Sequence, residues 1–313
     1  MGKEGLETTT ILLEAAKKHS PNCVVRDKIF RIALAEKNMD QLKQTAELHP
    51  EFATWMDADE IKSNCGTTCL GGVVFSNGCQ VIHVPSYLEG LWKACKDLSD
   101  GNINWSVEDQ LDALSLTTDA SDWKEKLSTF DVVVFSAGSG LFHDAILGKD
   151  DHNIPVDLVR GQSVEMTLDH ADAHQYPNEA ILCGKYIAPI PDSNQILIGA
   201  THEYKEEALD ESGVLDELKK RSYELSPFLW DKGSLHRITN GYRVQSRRGK
   251  YGRMPIIGAL KDSNVHYNAY IFTGLSARGL IYHGIYGKLL SNAIVAQDEN
   301  ILLDKYPEIL WWK

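Results

Sequence analysis

Residues 270–295, YIFTGLSARGLIYHGIYGKLLSNAIV, constrain the fold of this chain more than any other stretch. An apolar strand runs into Gly274 and the loop Leu275-Ser276-Ala277-Arg278-Gly279, after which Ile281, Ile285, Leu289, Leu290 and Ile294 recur at helical spacing. The pattern predicts a strand, a glycine turn and an amphipathic helix, with one arginine at the junction. A helix start offers unpaired backbone N–H groups and the positive end of the macrodipole, so it can receive an anion or an electron-rich carbonyl. Glycines at 274 and 279 let a ligand come close to the backbone. The same spacing also fits an ordinary strand-to-helix connection of an α/β domain, and the choice depends on the rest of the chain.

With 313 residues, 43% hydrophobic and 24% charged, the chain can build one large or two modest domains. Its formal charge of -12 argues against a general affinity for nucleic acid or an anionic membrane surface. No apolar run approaches the roughly 20 residues that span a bilayer. The start, MGKEGLETTT, has neither a signal-peptide core nor an Arg-rich transit character. The default location is therefore intracellular and cytoplasmic, an organellar address requiring a segment upstream. Cys23, Cys65, Cys69, Cys79, Cys95 and Cys183 are too sparse for a disulfide framework and read as reduced thiols. Cys65, Cys69 and Cys79 invite a zinc site, but no paired CxxC or His cluster accompanies them, and no metal is expected.

Residues 6–19 read as a helix stopped by Pro21, residues 24–35 as a strand, and 36–50 as a second helix. MDADEIKSNC, 56–65, has the look of a short capped helix. The glycine-rich CLGGVVFSNGCQVIHV predicts a hairpin around Asn77-Gly78, and Pro85 opens a helix running through YLEGLWKACKDL. A polar stretch rich in Asp and Thr follows. DVVVFSAGSG, 131–140, reads as a buried parallel strand ending in small residues, the position at which open α/β sheets bind ligands, or simply as a buried strand with a tight turn. From 154 to 205 the chain is strand-rich and predicts antiparallel strands of a second, larger sheet. A charged helix at 206–225 and an irregular strand pair in SLHRITNGYRVQSRRGKYGRMPIIGAL follow. No linker is evident, so two domains would share chain segments.

Four segments in this order carry a resemblance: DVVVFSAGSG (131–140), VRGQSVEM (159–166), the pair YIAPIPDSNQILIGAT (186–201) and GYRVQSRRGKYGRMPIIG (241–258), and FTGLSARGLIYHGIYGKLL (272–290). Together they resemble the FAD-dependent amine and amino-acid oxidoreductases of the D-amino-acid oxidase and glycine oxidase family. The resemblance implies a mixed α/β (α+β) fold: an incomplete FAD-binding Rossmann-like domain, about 85–150 and 259–313, interleaved with an antiparallel-sheet substrate domain, about 20–84 and 151–258. It also implies FAD as cofactor, oxidation of an amine or amino-acid C–N bond by hydride transfer, a small-molecule amine or amino-acid substrate, and dioxygen as electron acceptor. Gly138, Gly274, Leu275, Ser276, Arg278, Gly279 and Leu280 are the implied flavin-binding residues. Arg243 and Arg278 are the implied carboxylate clamps, because guanidinium binds a carboxylate through two parallel hydrogen bonds. Tyr242 and Tyr186 could add phenolic hydrogen bonds. His83, His143, His202 and His283 are not needed as bases if the amine arrives neutral.

The chain also departs from the family. The family opens with an apolar strand, GxGxxG and a helix, which seat the cofactor's pyrophosphate, and these 313 residues contain no GxGxxG. The expectation is a truncated form, with a non-catalytic remnant or a binding protein without FAD as the alternative. Arg247, Arg248, Lys250 and Arg253 form a basic cluster in an acidic chain, which fits a solvated turn, an anionic substrate or, as a minor alternative partner, tRNA.

Overall fold

Hydrophobic alternation and helical spacing sort the chain into a mixed α/β structure in a computed structural model that describes residues 2–104, 125, 127–142, 154–173, 176, 179–204, 207–260, 266 and 268–313. His143 and most of the polar Asp/Thr stretch lie outside the described residues. Two units share the chain: a first unit of Met1–Leu12, Gly101–Val159 and Tyr242–Lys313, and a second of Leu13–Asp100 and Arg160–Gly241.

The first unit holds a three-stranded sheet in the order β12 (Ile256–Ala259), β13 (Ala269–Thr273), β6 (Val133–Phe135). β12 and β13 are antiparallel, pairing Ile256 with Thr273, whereas β13 and β6 are parallel, pairing Ala269 with Val133 and Ile271 with Phe135. Ile256, Ile257 and Ile271 are fully buried, as a strand run rich in β-branched residues predicts. One core gathers Phe135, Leu141, Val244, Ile256 and Ile271, and another gathers Ile257, Ile285, Tyr286, Leu289 and Leu302. Helix α8 (Gly279–Ala296) follows β13 through a short 3-10 turn, and α9 (Asn300–Lys305) packs on it. Both termini close onto this unit. The first turns of α1 (Gly2–His19) lie on α8, where Thr9 Oγ1 donates to the Leu280 carbonyl at 3.1 Å, and Glu4 pairs with Lys305.

The second unit is built on an eight-stranded sheet in the order β11-β7-β10-β9-β8-β2-β4-β3. Its strands are β2 (Ile29–Ile32), β3 (Ala53–Met56), β4 (Gly72–Phe75), β7 (Val156–Thr167), β8 (Ile181–Cys183), β9 (Lys185–Pro189), β10 (Gln195–Gly199) and β11 (Ser234–Ser246). Strands β7 and β11 continue into the first unit. Phe30, Ile181, Ile187, Ile198 and Val164 point to one face and form a core with Leu218 of α6 (Glu211–Ser222) and with Leu229 and Trp230 of α7 (Pro227–Lys232). The short α5 spans His170–Ala173. On the opposite face Leu42 and Ala46 of α2 (Glu36–Leu48) cover Ala53 and Val73. Helix α3 (Ala58–Cys65) begins with a complete capping box, Asp57 accepting from the Glu60 N–H while Glu60 accepts from the Asp57 N–H.

Several expectations change. The strand expected over 24–35 breaks into β1 (Val24–Arg26) and β2, because β1 pairs with β5 (Val81–Ile82) in a separate two-stranded ribbon. For the same reason Asn77-Gly78 makes a turn but no hairpin: β4 pairs with β2 and β3, and Asn77 Nδ2 donates instead to the Glu51 carbonyl at 3.1 Å. β11 and β12 do not form the expected pair, β11 lying beside β7 and β12 beside β13. The helix expected at 206–225 occupies 211–222, starting where the Asp210 carboxylate accepts from the Gly213 N–H. The units also differ from the expected boundaries. Helix α4 (Val84–Leu98) belongs to the second unit, where Gly90 sits so close to the Ala16 carbonyl of α1 that an added Cβ would lie 2.5 Å from it. Residues 242–258 belong to the first, because β12 is a ladder partner of β13.

Candidate functional site

Parallel pairing of β6 and β13 puts the carboxyl ends of two adjacent strands side by side in the first unit, the place where open α/β sheets hold ligands. β6 leads to Gly138, which opens a 3-10 turn over Gly138–Phe142, and β13 leads to Gly274 and the turn Ser276–Arg278. Gly274 takes φ +71, and a Cβ there would lie 3.2 Å from Ile256 Cγ1, so both backbone conformation and packing against β12 require glycine. Ser276 also takes a left-handed φ of 55, and the Arg278 N–H donates to the Leu275 carbonyl at 3.1 Å.

Gly138 and Gly279 differ from Gly274: among the described residues an added Cβ would meet no atom within 4 Å at either. Both backbones border open space. Helix α8 starts at Gly279 behind Arg278, with no side-chain hydrogen bond capping its first N–H groups. An uncapped start of an 18-residue helix presents donors and partial positive charge. Leu280 is exposed, and His283, one turn further on, brings Nδ1 to 3.1 Å from the Gly279 carbonyl. Burial pulls the His283 pKa below its ordinary value, against those backbone carbonyls.

The predicted arginines occupy different settings. Gln245 of β11 forms an isolated bridge with Leu275, and Arg243, two residues earlier, shares its side of the strand at a Cα separation of about 7 Å. Arg243 is half-buried and Tyr242, on the alternate side, is exposed. Arg278 is exposed and folds along α8, donating from Nη1 to the Tyr282 hydroxyl at 2.9 Å with its guanidinium 5.8 Å from that ring's centre. Leu275 and Ser276 sit in the turn itself. Tyr186 belongs to the second unit, its hydroxyl 3.1 Å from Ser163 Oγ. His83 is engaged with Ser86 at 2.7 Å. Among the described residues no group of three His, Cys, Asp or Glu side chains could hold a metal ion.

Sequence reading missed the share of α1. Thr9 bonds the Leu280 carbonyl, and an added Cβ at Gly284 would lie 3.1 Å from Leu12 Cδ1 and 3.2 Å from Thr8 Oγ1. The signal was present as a second stripe, Gly5, Thr8, Thr9 and Leu12, on a helix read only for its apolar face.

The family of FAD dependent oxidoreductases (DAO) matches residues 1–293. The chain belongs to this family. The tRNA 5-methylaminomethyl-2-thiouridine biosynthesis bifunctional protein of Marinobacter nauticus is 25% identical over 252 residues, covering 73% of this chain. The chain spans only 38% of that relative's length. The crystal structure of glycine oxidase from Bacillus cereus superposes with a TM-score of 0.68 at 16% identity, over 97% of this chain and 82% of that one. Glycine oxidase from Geobacillus kaustophilus gives 0.65 at 17% identity, over 95% and 78%. At these identities the two structures establish the fold.

The residues present fit the ring end of FAD. Gly138 follows β6, Gly279 follows β13, both face open space, and the uncapped start of α8 offers N–H donors that would suit a flat group with electron-rich carbonyls. For the adenosine diphosphate end the sequence contains no GxGxxG turn.

Proposed function

We propose that this chain is a flavin-dependent oxidoreductase acting on a small amine or amino acid, with FAD held by its ring at the carboxyl ends of β6 and β13. The observation that carries this reading is the coincidence at those ends of Gly138 and Gly279, both open to space, with the uncapped start of α8. Bound there, FAD supplies a two-electron acceptor for the hydride leaving an amine or amino-acid Cα, with dioxygen as the terminal oxidant.

The chain's own residues bind and orient. The N–H groups of Gly279 and Leu280 and the positive end of α8 stabilise negative charge on a neighbouring carbonyl. Gly274, Leu275 and Ser276 shape the turn that aims this helix start. Arg243 holds the substrate carboxylate by a fork of two N–H donors, and Arg278 is the second cation at the junction. Tyr242 stands on the other side of β11 from Arg243 and is given no contact with that carboxylate. A neutral amine needs no strong base, so His83, His202 and His283 are given no proton to carry.

Glycine oxidase neighbours point to a short amino acid as the first substrate to try. The tRNA-modifying relative suggests tRNA, but two of the four residues in the basic cluster are engaged within the unit: Arg247 and Arg253 lie 3.6 and 3.9 Å from the Asp157 carboxylate. Oxygen-electrode assays with glycine, sarcosine and D-alanine on FAD-loaded protein test the reading. Oxygen uptake that depends on both amine and FAD supports it, and none with any amine while flavin is bound contradicts it.

A further inference from the structure

Arg31 lies on β2 between Val73 of β4 and Leu182 of β8, on the sheet face that α2 only partly covers. Where α2 stops covering, a cleft of about 420 Å³ opens between that helix, Arg31 and the turn Cys183-Gly184. Helix α2 carries two adjacent stripes. Met39, Leu42 and Ala46 face the strands, while Asn38, Gln41 and Thr45, at spacings of three and four, face the cleft with Gln44 beside them. The helix thus presents amide and hydroxyl groups, not charges, to the one cation.

We infer that the second unit carries an oxyanion-binding cleft, in which Arg31 and the amide stripe of α2 hold a small organic carboxylate or phosphate. The charge pattern favours an anion. In a chain with 44 acidic and 32 basic side chains, the cleft is lined, among the described residues, by one arginine and no carboxylate. Guanidinium offers two parallel donors to a carboxylate or phosphate, and the carboxamides of Asn38, Gln41 and Gln44 add donors that carry no competing charge. At the Cys183 thiol, whose pKa burial raises, the Arg31 charge works to lower it while Cys69 and the Glu224 carboxylate work to raise it. The volume suits a ligand of metabolite size. Every residue lining the cleft belongs to the second unit, and none of them is among the residues proposed to hold the flavin.

Isothermal titration of the full chain with inorganic phosphate and, separately, with glutarate, at matched ionic strength, tests the inference. Saturable one-site binding of either anion is expected, weakened at least tenfold in Arg31→Gln. Phosphate binding alone assigns a phosphate ester as the ligand class, and glutarate binding alone a carboxylate. Arg31 is exposed, so the variant should fold, with an unchanged far-UV circular dichroism spectrum; Asn38→Leu, on an exposed position of α2, supplies a second variant expected to weaken binding. Absence of saturable binding of both anions up to about 10 mM, or Arg31→Gln binding as the parent does, overturns the inference.

Discussion

Two glycines at the junction separate folding from ligand binding. Gly274→Ala forces a side chain into φ +71 and against Ile256, a change expected to cost about 2 kcal/mol and to lower the melting temperature of the apoprotein. Gly279→Ala meets nothing and sits in helical backbone, so the apoprotein should melt at the same temperature or slightly higher. Its methyl group would instead enter the cradle, and flavin affinity should fall. Differential scanning calorimetry with and without FAD separates these effects. Weakened flavin binding in Gly274→Ala alone, with Gly279→Ala unchanged, would contradict the cradle. Arg243→Ala should raise KM for a carboxylate substrate by about 10- to 100-fold, the worth of a charge-assisted bond, and Arg243→Lys should restore little. An unchanged KM would remove Arg243 from the clamp.

Helix α8 connects the site to the rest of its unit. The neutral form of His283 is favoured in the folded state, since burial lowers its pKa from the ordinary value of about 6.5. This contribution to stability is present above that value and is lost as pH falls toward the folded-state pKa. His283→Gln should therefore flatten the pH dependence of the melting temperature below about pH 6.5, and an identical pH profile would rule this role out. Gly284→Leu should drive α1 from α8 at a cost of about 1–3 kcal/mol, read as a lower melting temperature.

The same helix marks how far the sequence could be read. Its strand, turn and start were legible because β-branched burial, a required glycine and helical spacing coincide within 26 residues, 270–295. The partners of β1, β4, β5, β11 and β12 were not legible, because strand pairing is decided by distant chain and local turn chemistry such as Asn77-Gly78 allows several pairings. Arg278 was legible as a cation at the junction, but its contact with Tyr282 depends on a rotamer that spacing does not specify.

At the scale of the whole molecule, the chain passes between its two units at residues 12–13, 100–101, 159–160 and 241–242, so neither unit is a single segment. Among the described residues no helix is long and apolar enough to cross a membrane. With a formal charge of -12 and Asp157 beside two of its clustered arginines, the chain should not retain tRNA in a gel-shift assay at about 0.15 M salt, and retention there would reopen that partner. Family membership and fold place the molecule among FAD-dependent oxidoreductases, and the proposed position of the flavin ring is the carboxyl ends of β6 and β13. The most direct test is the visible spectrum of the purified chain after incubation with excess FAD and gel filtration. Oxidised-flavin absorbance co-eluting with the protein, and reduced by Gly279→Ala, is the predicted result; flavin eluting wholly free of the chain would contradict the account.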